Sequence, residues 1–153
     1  MPLTRKALLL KAEIDLPFLK GRDMSRGKRV LIVDDFPEIR AAMRSLLEDE
    51  GYEVWEASDG AEGVQKAQDV KPDLVILDLL MPVMNGFEAA RALRKVLPNV
   101  PLLMFTESEM AIVEHQAQSA GIDAVALKSE GAEQLLKKAD VLLSTKPFAT
   151  VSF

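Results

Sequence analysis

The sequence contains no cysteine and only one histidine, and each absence excludes a kind of site. Without cysteine, the chain can form neither disulfide bonds nor thiolate metal sites, a composition that fits a reducing compartment. Because His115 is the only histidine, a metal centre built from several histidines is excluded. No apolar run approaches the length needed to cross a bilayer. We therefore expect a cytoplasmic protein without membrane contact.

The charges of the 153-residue chain are unevenly distributed. Residues 1–28 contain seven basic and three acidic residues, a net charge of +4, whereas the remainder contains 12 basic and 21 acidic residues, a net charge of −9. An acidic body argues against nucleic-acid binding, so no nucleic-acid partner is expected. Residues 1–27 are predicted to be a basic N-terminal extension, either a short helix or a disordered segment.

From Arg29 onward, short apolar segments alternate with segments of helical period. Strands are predicted at residues 30–33, 52–57, 74–77, 102–105 and 124–127. Helices are predicted to begin at Pro37, Asp59, Gly86, Ser108 and Gly131. The alternation predicts an α/β fold, a doubly wound five-stranded parallel sheet with helices on both faces. One domain is expected over residues 28–144, followed by a C-terminal tail over residues 145–153.

The apolar run at residues 74–77 ends in a carboxylate, Asp78. An unbroken apolar run is typical of a parallel strand that is covered on both faces. A charge at its end is costly to bury alone, so we expect Asp78 to face a cleft, a cation or a hydrogen-bond donor. Pro82 and the Asn85-Gly86 pair predict a turn before the next helix.

Polar residues follow four of the five predicted strands, at the edge where such sheets bind ligands. They are Asp34 and Asp35 after the first strand, Asp78 after the third, Thr106 at the end of the fourth and Lys128 after the fifth. The second strand ends in Ala57-Ser58 and offers no obvious ligand. Three converging carboxylates repel one another unless a hard cation joins them, and an oxygen-only set of ligands favours Mg²⁺.

A carboxylate nucleophile beside Mg²⁺ and a lysine is the arrangement that forms an aspartyl phosphate. Lys128 supplies a point charge, and Thr106 supplies a hydroxyl that can donate to a phosphoryl oxygen. Taken singly, Asp34 and Asp35 could cap a helix, Thr106 could simply end a strand, and Lys128 could be a solvated lysine. Their joint occurrence at one edge, with Asp78, favours the phosphoryl site.

The chain resembles a response regulator receiver domain of two-component signalling, of the chemotaxis-receiver type. The matching motifs are VLIVDD at residues 30–35, DLVILDLLMPVMNG at 73–86, the strand ending in Thr106, and AGIDAVALK at 120–128. Together they cover residues 29 to about 144. The resemblance implies the flavodoxin-like strand order 2-1-3-4-5. It also implies a phosphoacceptor with self-catalysed phosphotransfer and dephosphorylation, and not a conventional enzyme.

The resemblance further implies roles for the acidic residues. Asp78 would accept a phosphoryl group from the histidine of a sensor histidine kinase or a histidine phosphotransfer protein. Asp35 and Asp78 would hold Mg²⁺, with Asp34 acting largely through a bound water. The backbone carbonyl of Leu80 would be a further ligand.

The same resemblance implies a conformational switch. Thr106 would move toward the phosphoryl group, and Lys128 would pair with it. The face formed by the fourth helix, fifth strand and fifth helix would shift between two packings and bind a downstream protein. Full conversion of a rare state to a dominant one needs roughly 5.5 kcal/mol of differential stabilisation. A monomer or weak homodimer is expected.

Three residues depart from the usual pattern of the family. Ser129 follows Lys128 where proline is common, so that the bond before it is either trans or strained. Val125 stands in the place of a switch aromatic and has no ring to swing inward. Glu107 follows Thr106 where a small residue is usual, and its carboxylate would repel phosphate or screen it from water.

Four functions follow from the sequence. The first is a stand-alone receiver that signals through a protein contact, and the second is a receiver fragment of a larger regulator or hybrid kinase. The third is an atypical receiver that acts as a phosphorylation-independent interaction module. The intact acidic pair, Asp78, Thr106 and Lys128 argue against it, whereas Val125 and Glu107 leave it open. The fourth is a Mg²⁺-dependent phosphatase, which is disfavoured because Leu80 stands where a second acid would be needed.

Overall fold

The computed structural model describes residues 27–107 and 110–151 and has five parallel strands with helices on both faces. The strands are β1 (Arg29–Val33), β2 (Glu53–Ala57), β3 (Leu74–Leu77), β4 (Leu102–Thr106) and β5 (Ala124–Leu127). The helices are α1 (Pro37–Asp49), α2 (Gly60–Val70), α3 (Gly86–Val96), α4 (Met110–Ala120) and α5 (Ala132–Val151), and a 3₁₀ turn covers Lys128–Glu130. The sheet order is β2-β1-β3-β4-β5, which confirms the predicted fold class and order.

Side chains of the strands alternate between two apolar cores, because successive residues of a strand point to opposite faces of the sheet. On β1, Val30 and Ile32 belong to one core, and Leu31 and Val33 belong to the other. The first core also contains Met43 and Leu47 of α1 and Leu135 and Ala139 of α5. The second contains Ala67 of α2, Leu93 of α3, and Val113 and Ala117 of α4. Within the described residues, no helix is long and apolar enough to span a membrane.

The sequence pattern predicts that the last helix ends near Ser144, whereas α5 continues to Val151. No glycine follows Ser144 to end the helix in a left-handed conformation. Pro147 lies in the extension and has no backbone N–H, so one hydrogen bond of the helix is lost there. The predicted cap at Ser108 and the predicted N-terminal extension lie outside the described residues.

Gly86, the first residue of α3, lies directly against the end of β3. Its N–H donates to the carbonyl of Leu79 at 2.8 Å. A Cβ at this position would clash with the carbonyl oxygen of Asp78 and lie 2.8 Å from the Cα of Leu79. Asn85 caps the helix, since it and Glu88 exchange side-chain to backbone hydrogen bonds of 2.9 Å. The predicted turn is therefore a helix cap that packs on the backbone of Asp78.

Gly86→Ala is expected to lower the free energy of unfolding by about 1–3 kcal/mol, because the added methyl overpacks the contact with Asp78. Alanine is otherwise the better helix former, so propensity alone predicts the opposite sign. Urea unfolding measures the difference. The exposed Arg91 of the same helix provides the control, since Arg91→Ala should change stability by less than about 0.5 kcal/mol. Unchanged or increased stability of Gly86→Ala would contradict the prediction.

Candidate functional site

Three carboxylates converge at the carboxyl edge of the sheet. Asp34 and Asp35 follow β1, and Asp78 follows β3, the neighbouring strand. The N–H of Asp78 donates to the carbonyl of Val33, the last residue of β1, at 3.0 Å, which extends the ladder between the two strands one residue past the end of β3. One oxygen from each of the three carboxylates lies within 4.8 Å of the others. The structure thus brings together the acidic residues that the sequence predicted at this edge.

Asp34 is the most buried of the three, at 1% exposure, and every polar group of its side chain has a partner. Its Oδ1 accepts a hydrogen bond of 2.9 Å from the N–H of Phe36. Its Oδ2 lies 3.3 Å from Nζ of Lys128. Its backbone N–H donates to the carbonyl of Ala57 at 3.1 Å. Asp34 is therefore fixed both by its backbone and by its side chain.

Lys128 links two of the carboxylates. It begins the 3₁₀ turn after β5, and its Nζ lies 3.3 Å from Oδ2 of Asp34 and 3.5 Å from Oδ1 of Asp78. Only 13% of its side chain is exposed, and its ammonium also lies 5.9 Å from the ring centre of Phe105. Because little water screens these contacts, the lysine compensates part of the charge of the acidic cluster.

Asp78 has a raised pKa. Burial, which leaves it 6% exposed, raises the pKa of its carboxyl from 3.8 to about 6. The positive charge of Lys128 and the N–H of Leu79, which donates to Oδ1 at 2.8 Å, lower the pKa, whereas the charge of Asp34 raises it. At neutral pH the carboxylate form predominates, so a nucleophile is available.

Asp35 provides the test of whether a cation fits here. Within residues 27–107 and 110–151, its Oδ1 is buried and accepts no hydrogen bond. A buried carboxylate oxygen without a donor is unfavourable unless a cation contacts it. Three carboxylates with no nitrogen or sulfur ligand are the donor set of a hard divalent cation such as Mg²⁺. The residues present therefore fit the metal that the sequence predicted.

The remaining predicted residues lie at the same edge of the sheet. Thr106 ends β4, is 1% exposed and pairs in register with Leu127, the residue before Lys128. The side chain of Leu80 is exposed in the loop after β3, and Glu107 is exposed after β4. Thr106 thus occupies the strand position next to the lysine, as the sequence indicated.

Two of the unusual residues have ordinary structural roles. No peptide bond in the described part of the chain is cis, so the bond before Ser129 is trans and the turn after β5 needs no strained isomer. Val125 is 5% exposed and belongs to the core that includes Val113 and Ala117 of α4. The side chain of Val125 is therefore part of the core on the side of the sheet that α4 covers.

The second strand contributes to the site, which the sequence reasoning missed. Glu56 of β2 accepts hydrogen bonds from Nε of Arg40 at 2.9 Å and Nε of Arg44 at 2.6 Å. The hydrogen bond from Arg44 lowers the pKa of Glu56 most, and the hydrogen bond from Arg40 lowers it further. Partial burial acts in the opposite direction but does not outweigh the two arginines. Nη1 of Arg40 also donates to the backbone carbonyl of Asp34 at 2.7 Å. The sequence feature that could have indicated this contact is the spacing of Arg40 and Arg44, which places both arginines on one face of α1.

A parallel sheet of order 2-1-3-4-5 with an acidic cluster and a lysine at its carboxyl edge is the arrangement of a receiver domain. The family model described as "Response regulator receiver domain" matches residues 30–140. The chain therefore belongs to the response regulator receiver domain family of two-component signalling. Members of this family act as signalling phosphoacceptors and not as conventional enzymes, and they interact with histidine kinases and downstream targets.

Curated relatives and solved structures agree with this assignment. The chain is 38% identical over 96 residues to the chemotaxis protein CheY of Thermotoga maritima, a match to 62% of this chain and 80% of CheY. It is 36% identical over 109 residues to the response regulator VraR of Staphylococcus aureus, a match to 70% of this chain and 52% of VraR. The chain thus spans about half of VraR.

Two solved structures show the same fold. CheY4 of Vibrio cholerae superposes with a TM-score of 0.72 at 36% identity, over 76% of this chain and 98% of CheY4. The response regulator TrrA of Thermotoga maritima superposes with a TM-score of 0.69 at 33% identity, over 75% of this chain and 98% of TrrA. The TrrA structure is a complex with Mg²⁺ and beryllofluoride.

Proposed function

We propose that this receiver domain accepts a phosphoryl group on Asp78 from a phosphohistidine donor, in a reaction that depends on Mg²⁺. The observation that supports this most strongly is the convergence of three carboxylates within 4.8 Å, at the end of a buried strand. A cluster of this kind is costly to fold without a cation. A phosphoryl-transfer function supplies the reason to keep it.

Asp78 would act as the nucleophile. Its Oδ1 accepts the N–H of Leu79 and faces Lys128, so we assign the attack to Oδ2. Oδ2 forms a bond to phosphorus while the bond between phosphorus and the donor imidazole nitrogen breaks, and the electron pair of that bond returns to the imidazole. Lys128 would then neutralise a phosphoryl oxygen, and the hydroxyl of Thr106 would donate to another.

Asp35 and Asp78 would hold Mg²⁺, with Asp34 acting largely through a water and the backbone carbonyl of Leu80 as a further ligand. The buried Oδ1 of Asp35, which has no donor among the described residues, supports this assignment. When bound, Mg²⁺ neutralises charge on the oxygens of the transferring group. The TrrA complex with Mg²⁺ and beryllofluoride shows that a relative of this chain binds both.

The proposed donor is a sensor histidine kinase or a histidine phosphotransfer protein, and the proposed output is a downstream protein bound at the face of α4, β5 and α5. Phosphorylation would bias this face between two packings. The domain limits of 28–144 are also our proposal. A cytoplasmic location, a monomeric or weakly dimeric state and the absence of a nucleic-acid partner stay predictions from the sequence.

Beryllofluoride binding tests the proposal. We expect the wild-type protein to bind beryllofluoride only when Mg²⁺ is present, as measured by isothermal titration calorimetry and by shifts in its NMR spectrum. Asp35→Asn removes one charge of the metal site but keeps Asp78, so it should need at least about tenfold more Mg²⁺ for the same binding. Asp78→Asn should not bind the mimic at all.

The exposed Asp69 of α2 provides a control, since Asp69→Asn removes an equal charge and should bind as the wild type does. If the wild type shows no Mg²⁺-dependent binding of beryllofluoride, the proposed function is wrong. The phosphorylation-independent interaction module would then be the better description.

A further inference from the structure

The peptide group that joins Asp34 to Asp35 is held by an arginine of α1. Nη1 of Arg40 donates to the carbonyl oxygen of Asp34 at 2.7 Å. That carbonyl and the N–H of Asp35 belong to one planar peptide group. The plane of this peptide group contains the Cα atoms of Asp34 and Asp35. Its orientation therefore sets the directions in which the two carboxylates project. The arginine therefore acts on the geometry of the acidic pair without touching either carboxylate.

Arg40 is itself held in place by β2. Its Nε donates to Oε1 of Glu56 at 2.9 Å, and the side chains of the two residues are only 16% and 28% exposed. The next residue of β2, Ala57, accepts the N–H of Asp34 through its carbonyl at 3.1 Å. Both backbone polar groups of Asp34 are thus tied to β2, one directly and one through the pair of Arg40 and Glu56.

We propose that Arg40, anchored by Glu56, is a positioning residue that orients Asp34 and Asp35 for Mg²⁺. This inference rests on the proposed function, because it concerns the same metal site. Residues that orient metal ligands through hydrogen bonds typically change metal affinity by about 10- to 100-fold when they are lost. Pre-orientation strengthens binding because the bound ligand geometry then needs little further ordering.

Removal of Arg40 could change the Mg²⁺ affinity either because a positioning contact is lost or because a positive charge is lost. The direction of the change distinguishes the two explanations. By Coulomb's law, removal of a cation near an acidic site strengthens the binding of another cation. Loss of positioning instead weakens that binding. A variant that removes Arg40 therefore gives opposite results under the two explanations.

Arg44 provides the matched control. It lies one turn along the same helix, and its Nε donates to the same Glu56 at 2.6 Å. Its Nη1, however, donates to Glu48 at 2.8 Å and not to the backbone of Asp34. Arg44→Met removes an equal charge from the same carboxylate and leaves the contact between Arg40 and Asp34 in place. Methionine keeps most of the apolar stem that an arginine packs against its neighbours.

The experiment measures the Mg²⁺ dissociation constant of the full chain by calorimetry, with no phosphoryl donor present. We expect Arg40→Met to weaken Mg²⁺ binding about tenfold and Arg44→Met to change it less than about twofold. In the Mg²⁺-free protein, hydrogen exchange of the Phe36 amide, which donates to Oδ1 of Asp34, should be faster in Arg40→Met only. At saturating Mg²⁺, the phosphorylation rate of Arg40→Met should return to that of the wild type.

Arg40→Lys keeps the charge and one donor, and should show an intermediate Mg²⁺ affinity even if Arg40→Met does not fold. Equal or tighter Mg²⁺ binding by Arg40→Met or Arg40→Lys, compared with the wild type, overturns the inference while the proposed function stands. An equal loss in Arg40→Met and Arg44→Met also overturns it, since a shared structural effect then explains the change. If the wild type itself binds no Mg²⁺, the proposed function fails, and the inference fails with it.

Discussion

Asp78→Asn is expected to stabilise the Mg²⁺-free protein at pH 7 by about 1–3 kcal/mol, although most substitutions of buried residues destabilise. Burial raises the pKa of Asp78 from 3.8 to about 6, so the folded protein disfavours the carboxylate form. Asparagine is neutral and of nearly the same shape, and its oxygen can still accept the N–H of Leu79. The substitution therefore removes an unfavourable charge and keeps the hydrogen bond.

The pH dependence of this gain in stability tests whether the raised pKa of Asp78 causes it. A pKa that is raised on folding contributes stability at low pH, and that contribution is lost as the pH rises from 3.8 through about 6. The gain from Asp78→Asn should thus be complete at pH 7 and mostly absent near pH 4. Urea unfolding in the presence of a chelator, at both pH values, measures it. Destabilisation at pH 7, or a gain that does not depend on pH, would contradict a raised pKa of Asp78 in the folded protein.

Lys128→Met is expected to have the opposite effect and to destabilise the Mg²⁺-free protein by about 2–4 kcal/mol at pH 7. Nζ of Lys128 lies 3.3 Å from Oδ2 of Asp34 and 3.5 Å from Oδ1 of Asp78, and all three side chains are mostly buried. Removal of the ammonium leaves two buried carboxylates uncompensated. Under the proposed function, phosphorylation of the variant should also be at least about 100-fold slower.

A double-mutant cycle tests the coupling that this explanation requires. In an Asp78→Asn background, Lys128 compensates only Asp34, so Lys128→Met should cost less than in the wild type. The exposed Lys71 provides the control, because Lys71→Met removes the same charge away from the cluster and should show no coupling to Asp78. Additive effects of Lys128→Met and Asp78→Asn would show that the two side chains do not interact energetically.

The five strands and the edge residues could be predicted because their signals are local in the sequence. Residues 74–77 are apolar without interruption and form β3, which is buried on both faces. Asp78 interrupts that pattern, and its neighbours at the edge follow from the parallel arrangement of the strands. The strand order was implied by the resemblance to receiver domains and is confirmed by the sheet.

Contacts between distant segments could not be predicted in the same way. On α2, Ala61 is exposed, whereas Gly63 is buried against the sheet. A Cβ on Gly63 would lie 2.9 Å from Cγ2 of Val33, so α2 approaches β1 closely at this point. On α5, Leu135 is fully buried, yet Val141 is 58% exposed although it is also apolar. Helical period alone does not fix which part of an apolar face meets the sheet.

The link between Arg40 and Asp34 depends on the rotation of α1 relative to β2, which sequence spacing does not specify. From the sequence, the second strand appeared to offer no ligand to the site. Its contribution comes from the side chain of Glu56, which precedes the end of the strand, and from the backbone carbonyl of Ala57. The buried oxygen of Asp35 is likewise a property of the packed structure. It is also the strongest structural support for a cation at this edge.

Phosphorylation of the full chain by acetyl phosphate, followed by intact mass spectrometry, tests whether Asp78 is the phosphoryl acceptor. The wild type should gain the mass of one phosphoryl group only when Mg²⁺ is present, and peptide mapping after reductive trapping should place it on Asp78. Asp78→Asn should gain none, while Asp69→Asn should behave as the wild type. No adduct on the wild type, or an undiminished adduct on Asp78→Asn, would contradict the assignment of Asp78 as the phosphoryl acceptor.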